Sequence, residues 1–305
     1  MSSPVVTALA AYAGTYAQEL IGQMFEGLDT RGLKVIENIK SNYSMTKLSV
    51  GNGLKPYTPT FAPSDDLAYS ERVLVPGLAK RELEIEVAKY HNTWMGETMK
   101  KNSKYYDIPF ESYVMMKVVE AMQKEVNRQL TYNGDTASVT PAQATCDGFK
   151  KLILALIAGG QAAVATGAVT SANAVAKFEQ MATALPEEWK GEDLNLLCSY
   201  AQYDNYILNY RTTFGFDPAI YSDVKKDLYL KVSQGMIKIQ PVHWLAGSSR
   251  LILTHPDNLV LGTDLLDDMH VINAVPTVWT VQLGIRFLIG YQIADAGAIW
   301  YNDQA

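Results

Sequence analysis

Residues 107–135 read DIPFESYVMMKVVEAMQKEVNRQLTYNGD, and this stretch decides how the rest of the chain is interpreted. Pro109 suits the first turn of a helix, and Gly134 suits the left-handed residue that often ends one. Apolar residues recur between them at steps of three and four, with charged residues on the other faces. The apolar set is Met115, Val119, Met122, Val126 and Leu130. The pattern predicts a helix of roughly 24 residues, about 36 Å long, with one buried stripe.

Composition limits the classes of function. The 305 residues are 48% hydrophobic but only 19% charged, and 18 of them are tyrosines. This balance predicts that much apolar surface is covered by a partner, most simply by other copies of the chain. A net charge of -6, without a long Lys/Arg block, argues against binding nucleic acid by neutralising its phosphates. Cys146 and Cys198 form no metal or disulfide pattern, which favours a reducing cytoplasm.

Residues 51–77 predict a projecting segment ahead of the long helix. They are rich in Gly, Pro and acidic residues and cannot build a core of their own. Arg81 to Val87 follows with strict alternation, in which Leu83 and Ile85 face one side and glutamates face the other. We expect this strand to pair with Met45 to Val50, giving a long two-stranded hairpin that packs on something else. Disorder of the segment is the alternative.

The remaining pattern predicts an α+β fold, because helices and strands do not alternate strictly. Residues 5–27 predict an amphipathic helix, and Asp147 to Ala158 a short, almost wholly apolar and therefore buried one. Leu194 to Ser199 predicts a buried strand and Gln202 to Thr213 a Tyr-rich helix. From residue 236 onward the chain is rich in strand candidates. Glycines and polar residues interrupt the nearly uncharged run from Leu152 to Thr170, so we expect no membrane span there.

Three common signatures of catalytic or nucleotide-binding sites do not occur in the sequence. The nucleophile elbow, the P-loop and the dinucleotide-binding glycine motif are all missing. The four histidines are widely separated, and only His270, with Asp267 and Asp268 close by, offers even a weak metal-ligand spacing. We therefore expect no catalytic residue, no metal and no cofactor, although groups converging from distant positions would escape this search.

The order of several weak motifs resembles a known family. Asn133-Gly134-Asp135 ends the long helix, and Asp147-Gly148-Phe149 opens a short apolar helix. The strand-turn-strand from Leu253 to Asp264 contains Thr254, Pro256, Asn258-Leu259 and Gly262-Thr263-Asp264. With a hairpin-like arm before the long helix, and with the ending from Phe287 to Tyr301, this order is similar to major capsid proteins of tailed bacteriophages, the Hong Kong 97 type. The resemblance covers most of the chain.

The resemblance implies a division into five parts. Residues 1–44 would be an N-terminal arm, 45–88 an extended loop lying across an adjacent subunit, and 89–145 a peripheral domain with the long helix as its spine. Residues 146–285 would be an axial domain, and 286–305 a closing strand that returns to the peripheral domain.

The resemblance also implies a function and partners. The chain would assemble with itself, as pentamers and hexamers, into the icosahedral shell of a virion built in the host cytoplasm. The shell would enclose double-stranded DNA without sequence-specific binding and without a membrane. The loop residues expected at contacts between subunits are Lys55, Tyr57, Phe61, Asp65, Asp66, Glu71 and Arg72. A scaffold protein, a portal and decoration proteins are the expected partners. Because no cleavable N-terminal extension is visible, we expect either a separate scaffold protein or a chain that starts at an already mature end.

Two other readings stay open at this point. An encapsulin-type nanocompartment has the same fold, and residues 5–27 would then lie on the inner wall as a cargo-binding helix. An α+β enzyme would need a polar pocket and a small oligomeric state. Crosslinking between subunits is not predicted, since Lys55 and Lys80 have no identifiable acceptor residue.

Overall fold

The computed structural model describes residues 4–51, 54–61, 67–86, 89, 110–215, 228–264 and 271–304. Within these ranges the helices are α1 Pro4–Thr15, α2 Ala17–Glu26, α3 Phe110–Glu125, α4 Phe149–Ala158, α5 Ala174–Thr183 and α6 Tyr200–Phe214. The strands before the long helix are β1 Lys34–Ile36, β2 Tyr43–Val50, β3 Leu67–Leu74 and β4 Gly77–Glu86. Those after it are β5 Leu194–Cys198, β6 Leu228–Tyr229, β7 Ile237–Pro241, β8 Ile252–Thr254, β9 Leu259–Thr263, β10 Val271–Pro276, β11 Thr280–Ile293 and β12 Ile299–Tyr301. The predicted α+β class is confirmed.

The long helix is present, and its buried stripe is confirmed. Helix α3 continues into one π-helical segment, Val126–Leu130, and all five apolar residues of the predicted stripe are buried. In a π-helical turn the backbone N–H donates to the carbonyl five residues earlier, and Thr131 donates both its backbone N–H and its hydroxyl to Val126 O, at 3.0 and 3.1 Å. The Thr131 hydroxyl also lies 2.9 Å from the hydroxyl of Tyr291, which ties the helix end to β11.

Neither predicted end of this helix is confirmed. Asp107 to Pro109 lie outside the described residues. Gly134 has no positive φ, so the prediction of a left-handed helix end there is wrong. A Cβ on Gly134 would instead lie 2.5 Å from Cys146 O and 2.8 Å from Gly148 N. Glycine is needed because two backbone segments meet there.

The first sheet is built on the long strand β11. It pairs antiparallel with β4 from Thr280↔Glu86 to Ile289↔Gly77, and also with β10 and β9, while β1 lies parallel to β9. The alternation predicted for β4 is confirmed, since Ile85 is buried and Leu83 packs on the core while Glu82 and Glu84 are exposed. Val87 lies outside the described residues.

The predicted partner of β4 was wrong. Met45 to Val50 belongs to β2, which pairs with β3 from Tyr43↔Leu74 to Val50↔Leu67. A hairpin therefore exists, but it comprises residues 43–74 and ends before β4. The sequence pattern did not predict β3, because its side chains are exposed on both faces for most of its length and show no alternation of burial.

The N-terminal helices pack on this first sheet. The single helix predicted for residues 5–27 is two helices that meet at Tyr16. Leu9, Leu20 and Met24 are buried in the same core as the stripe of α3 and the inner side of β11. Phe25 meets Phe287 of β11 edge to face, with ring centroids 6.1 Å apart.

A second sheet, in the order β12-β8-β5-β7-β6, forms a second core with α5 and α6. The buried strand at residues 194–199 and the Tyr-rich helix are confirmed as β5 and α6. Helix α4 was expected to be buried throughout, and this is wrong. Phe149 and Ile153 are buried, but Leu154 and Ile157 on its other side are exposed.

The five-part division stays a prediction, and two observations bear on its last boundary. Residues 285 and 286 lie within one continuous strand, β11. The final strand β12 pairs with β8 of the second sheet. None of the helices in the described ranges is long and apolar enough to cross a membrane.

Candidate functional site

The most prominent surface feature is the hairpin of β2 and β3 with the tip residues 54–61, which we call the arm. Directly opposed residues of an antiparallel pair share a face, so the register assigns every side chain of the hairpin to one of two faces. Met45 with Arg72 and Lys47 with Ser70 lie on one face. This inner face meets the chain itself, because the Lys47 ammonium forms an ion pair with Asp295, which follows β11.

The opposite, outer face of the arm is apolar and open towards its far end. Leu48 opposes Tyr69, and Val50 opposes Leu67. All four residues are exposed, and the exposed fraction of Tyr69 is 78%. Such a contiguous apolar patch on one side of a narrow ribbon is typical of a surface that becomes covered by a partner.

The base of the arm rests on a seat formed by two glycines. Gly262 of β9 and Gly290 of β11 oppose each other in the first sheet. A Cβ on Gly262 would lie 2.7 Å from Ile39 Cδ1, and one on Gly290 would lie 2.8 Å from Pro76 Cα. The fully buried Leu74 packs over both positions. Because neither glycine has a side chain, the base of the arm can pack directly on the backbone of the sheet.

Polar contacts fix the direction in which the arm leaves. Gln292 of β11 donates from Nε2 to Val73 O at 2.7 Å. Burial lowers the pKa of the Arg72 guanidinium, and the negative charge of Asp295 partly offsets this decrease. Asp295 therefore forms an ion pair with Lys47, and its negative charge also acts on the nearby guanidinium of Arg72.

The predicted contact residues do not form one cluster. Lys55, Tyr57 and Phe61 lie in the tip, and the exposed fractions of the two rings are 91% and 90%. Glu71 and Arg72 lie on β3, on opposite faces, and Glu71 accepts a hydrogen bond from Ser44. Asp65 and Asp66 lie outside the described residues.

Sequence reasoning missed the junction that ties the N-terminal segment to the rest. The carboxylate of Asp29 accepts from Arg31 Nε at 2.7 Å and from the backbone N–H of His243, while the backbone N–H of Asp29 donates to Asn127 Oδ1 at 3.1 Å. The hydrogen bond to Asp29 raises the pKa of Arg31, so that guanidinium stays charged. Arg31 also donates to the hydroxyl of Tyr200 at 2.8 Å. Only the fold brings these distant positions together.

A second ionic cluster, the Lys151 clamp, holds the turn between α3 and α4. Lys151 Nζ lies 2.8 Å from Asp135 Oδ1, 2.8 Å from Asp147 Oδ1 and 2.9 Å from Thr136 Oγ1. The hydrogen bond from Lys151 lowers the pKa of Asp135. Burial acts to raise the pKa of Asp147, but hydrogen bonds from Lys151 and Thr136 outweigh it and lower the pKa. The three ionised groups together fix this turn.

The described residues offer no recognisable reaction chemistry. Among them, no three His, Cys, Asp or Glu side chains come together as a metal site, and the spacing of Asp267, Asp268 and His270 lies outside these residues. Both cysteines are buried, and burial raises the pKa of Cys146 to about 12, so neither thiol is an activated nucleophile. The best-defined feature remains the arm, a surface suited to binding another protein.

Comparison with known proteins points in the same direction. No protein-family model matches the sequence. No curated protein matches it either. Solved structures do match. A chain from the procapsid of satellite phage P4, in a structure that includes the size determination protein Sid, is 14% identical, with 93% of this chain and 98% of that one covered and a TM-score of 0.52.

Two further structures give similar values. The capsid of Myoviridae phage XM1 is 10% identical, covers 90% of both chains and has a TM-score of 0.54. The capsid of a native GTA particle is 11% identical, covers 88% of this chain and 93% of that one, and has a TM-score of 0.55. At these identities the likeness concerns the fold, and it extends over nearly the whole chain.

Proposed function

We propose that this chain, which has the Hong Kong 97-type capsid fold of those structures, is a major capsid protein that self-assembles into the icosahedral shell of a tailed bacteriophage. The observation that carries the proposal is the match to phage capsid chains along about nine-tenths of the length of both partners. We accordingly propose a structural role and no catalytic one.

The arm supports the proposal independently of the comparisons. Tyr57 and Phe61 project into solvent at its tip, and covering one such ring stabilises a contact by about 1.5–3 kcal/mol. We propose that residues 45–88 include the extended loop lying across an adjacent subunit. The contact residues in this proposal are Lys55, Tyr57, Phe61, Asp65, Asp66, Glu71 and Arg72.

In this proposal the subunit is divided as the resemblance implies. Residues 89–145 are the peripheral domain, with the long helix as its spine, and residues 146–285 are the axial domain. Residues 1–44 form the N-terminal arm in this assignment and 286–305 the closing segment. The axial domains would meet around the five-fold and six-fold centres.

The partners in this proposal follow from a closed shell. Copies of the chain form pentamers and hexamers, with a scaffold protein and a portal needed for assembly and decoration proteins on the outside. The wall encloses double-stranded DNA without sequence-specific contacts. The net charge of -6 suits a wall that does not bind the DNA phosphates tightly. The chain would assemble in the host cytoplasm and end in the virion.

Negative-stain electron microscopy of the purified chain tests the proposal. We expect closed shells or rings of capsomers, alone or with a scaffold protein. Large DNA-filled shells in infected cells support a phage capsid, whereas small shells without DNA point to a nanocompartment. A uniform particle of 33.7 kDa under all conditions contradicts both.

A further inference from the structure

The turn between β10 and β11 presents an apolar knob at the end of the first sheet, away from the arm. Val278 and Trp279 form its tip, with exposed fractions of 55% and 76%. No charged residue occurs from 271 through 285. An exposed tryptophan in an uncharged segment is unusual on a protein surface that only contacts water, and tryptophan is the residue most enriched at the centres of protein interfaces.

Hydrogen bonds hold this knob in one conformation. Thr277 donates from its backbone N–H and from its hydroxyl to Thr280 O, both at 2.8 Å, and its hydroxyl accepts from Thr280 N at 3.1 Å. The Thr280 hydroxyl donates to Glu84 Oε1 at 2.8 Å, which fastens the turn to β4. A side chain presented on such a rigid turn loses little conformational entropy when it binds.

The same chain carries a cleft suited to the knob. It lies between β4 and the long helix α3 and has a volume of about 360 Å³. Of the described residues, six apolar ones line it, together with Arg81, Glu84 and Lys117. The six are Leu83, Ile85, Tyr113, Val114, Val118 and Ala121. Its size is at the lower end of the range for sites that enclose a compact apolar group, which fits one indole ring.

The knob and the cleft lie side by side, since Glu84 lines the cleft and also accepts the hydrogen bond from Thr280. In its own chain Trp279 stays exposed and does not line the cleft. In a ring of copies related by rotation, each copy can give a knob to one neighbour and receive a knob from the other, so no knob or cleft is left unpaired. We propose that Val278 and Trp279 of one copy insert into the cleft between β4 and α3 of a second copy. The inference rests on the proposed function, because both need copies of the chain to assemble.

Cysteine pairing between two single variants tests this contact. Trp279→Cys chains are mixed with Val118→Cys chains, assembled and oxidised, and the products are separated on a non-reducing gel. The native thiols of Cys146 and Cys198 are buried and give no background. We expect a disulfide-linked dimer in the mixture and none in the unaltered chain. Val139→Cys in place of Trp279→Cys is the matched control, because Val139 is even more open to solvent than Trp279 but lies on another loop.

Four results would overturn the inference. The mixture gives no dimer although rings or shells form, or the Val139→Cys control pairs with Val118→Cys equally well. Trp279→Cys alone gives the only dimer, which means that knobs meet knobs. Trp279→Ala assembles at the same concentration as the unaltered chain, where we expect a requirement raised about tenfold or more. Failure of the unaltered chain to assemble at all contradicts the proposed function itself, and this separates the two claims.

Discussion

Two glycines determine how close the arm lies to the body of the subunit. Gly262 and Gly290 oppose each other in adjacent strands, and the space that their side chains would fill holds Ile39, Leu74 and Pro76. Interiors are packed too tightly to absorb even one added methyl without rearrangement. The angle of the arm therefore depends on positions in β9 and β11 that belong to neither of its strands.

Gly290→Ala tests this seat. The new Cβ would meet the backbone of Pro76 at 2.8 Å, so we expect a loss of about 1–3 kcal/mol in the free energy of unfolding, measured by urea denaturation. Gly284→Ala in the same strand is the control, because its nearest neighbour would be 3.9 Å away, and we expect a change of less than about 0.5 kcal/mol. Equal effects at the two positions would show that the seat is unimportant.

The Lys151 clamp makes stability depend on pH with a defined sign. In the folded chain the pKa values of Asp135 and Asp147 are both lowered. Their contribution is complete above the unfolded aspartate pKa of about 3.9 and is lost as the pH falls through the folded values. The pKa of Lys151 is raised, chiefly by its hydrogen bond to Asp135, so its contribution is lost only at alkaline pH.

Lys151→Ala should lower the melting temperature by a few degrees at about pH 7, while the curves of variant and unaltered chain converge as the pH falls through the lowered pKa values of Asp135 and Asp147. Differential scanning calorimetry across this range measures the difference. Lys150→Ala, one residue away and outside the clamp, should show no comparable pH-dependent gap. A gap for Lys151→Ala that persists undiminished in acid would mean that its side chain acts through packing instead of charge.

At the scale of elements, the periodicity of the sequence predicted individual helices and strands, but it did not predict which strands pair. The buried stripe from Met115 to Leu130 and the alternation of Leu83 and Ile85 follow from the repeat of a helix and of a strand, and both were predictable. The partner of β2 was missed because β3 is exposed on both faces, so no burial pattern marks it. The glycine seat and the Asp29 junction were out of reach, since each depends on positions far apart in sequence.

The arm is a separate element that the fold should tolerate losing. Joining Thr46 to Glu71, which oppose each other in the hairpin, through an Asn-Gly turn removes the far end and keeps Leu74 on its seat. A deletion of the whole segment from Lys55 to Pro76 would also remove the buried Leu74 and destabilise the base of the arm. We expect the shortened chain to melt within a few degrees of the original but to form no closed shells in electron micrographs.

A control separates loss of the arm from loss of exposed apolar surface in general. Val139→Ser removes an open apolar side chain outside the arm, and this variant should assemble normally. Normal shells from the shortened chain would contradict the role proposed for the arm.

At the scale of the whole molecule, one chain carries two cores and several apolar surfaces that it does not cover itself. The arm, the outer side of α4 and the knob at Trp279 point away from these cores. The sequence indicated this from its low share of charged residues and its many tyrosines. It could not show which residues are left open, because that depends on how the two sheets are assembled.

Electron cryomicroscopy of the assembled particle, at a resolution that traces the chain, tests the central claim most directly. We expect a closed wall in which the hairpin of residues 43–74 crosses a neighbouring copy, with Tyr57 and Phe61 buried against it. An arm folded back on its own subunit, or left in solvent with neighbours touching elsewhere, would contradict the proposed role of the arm.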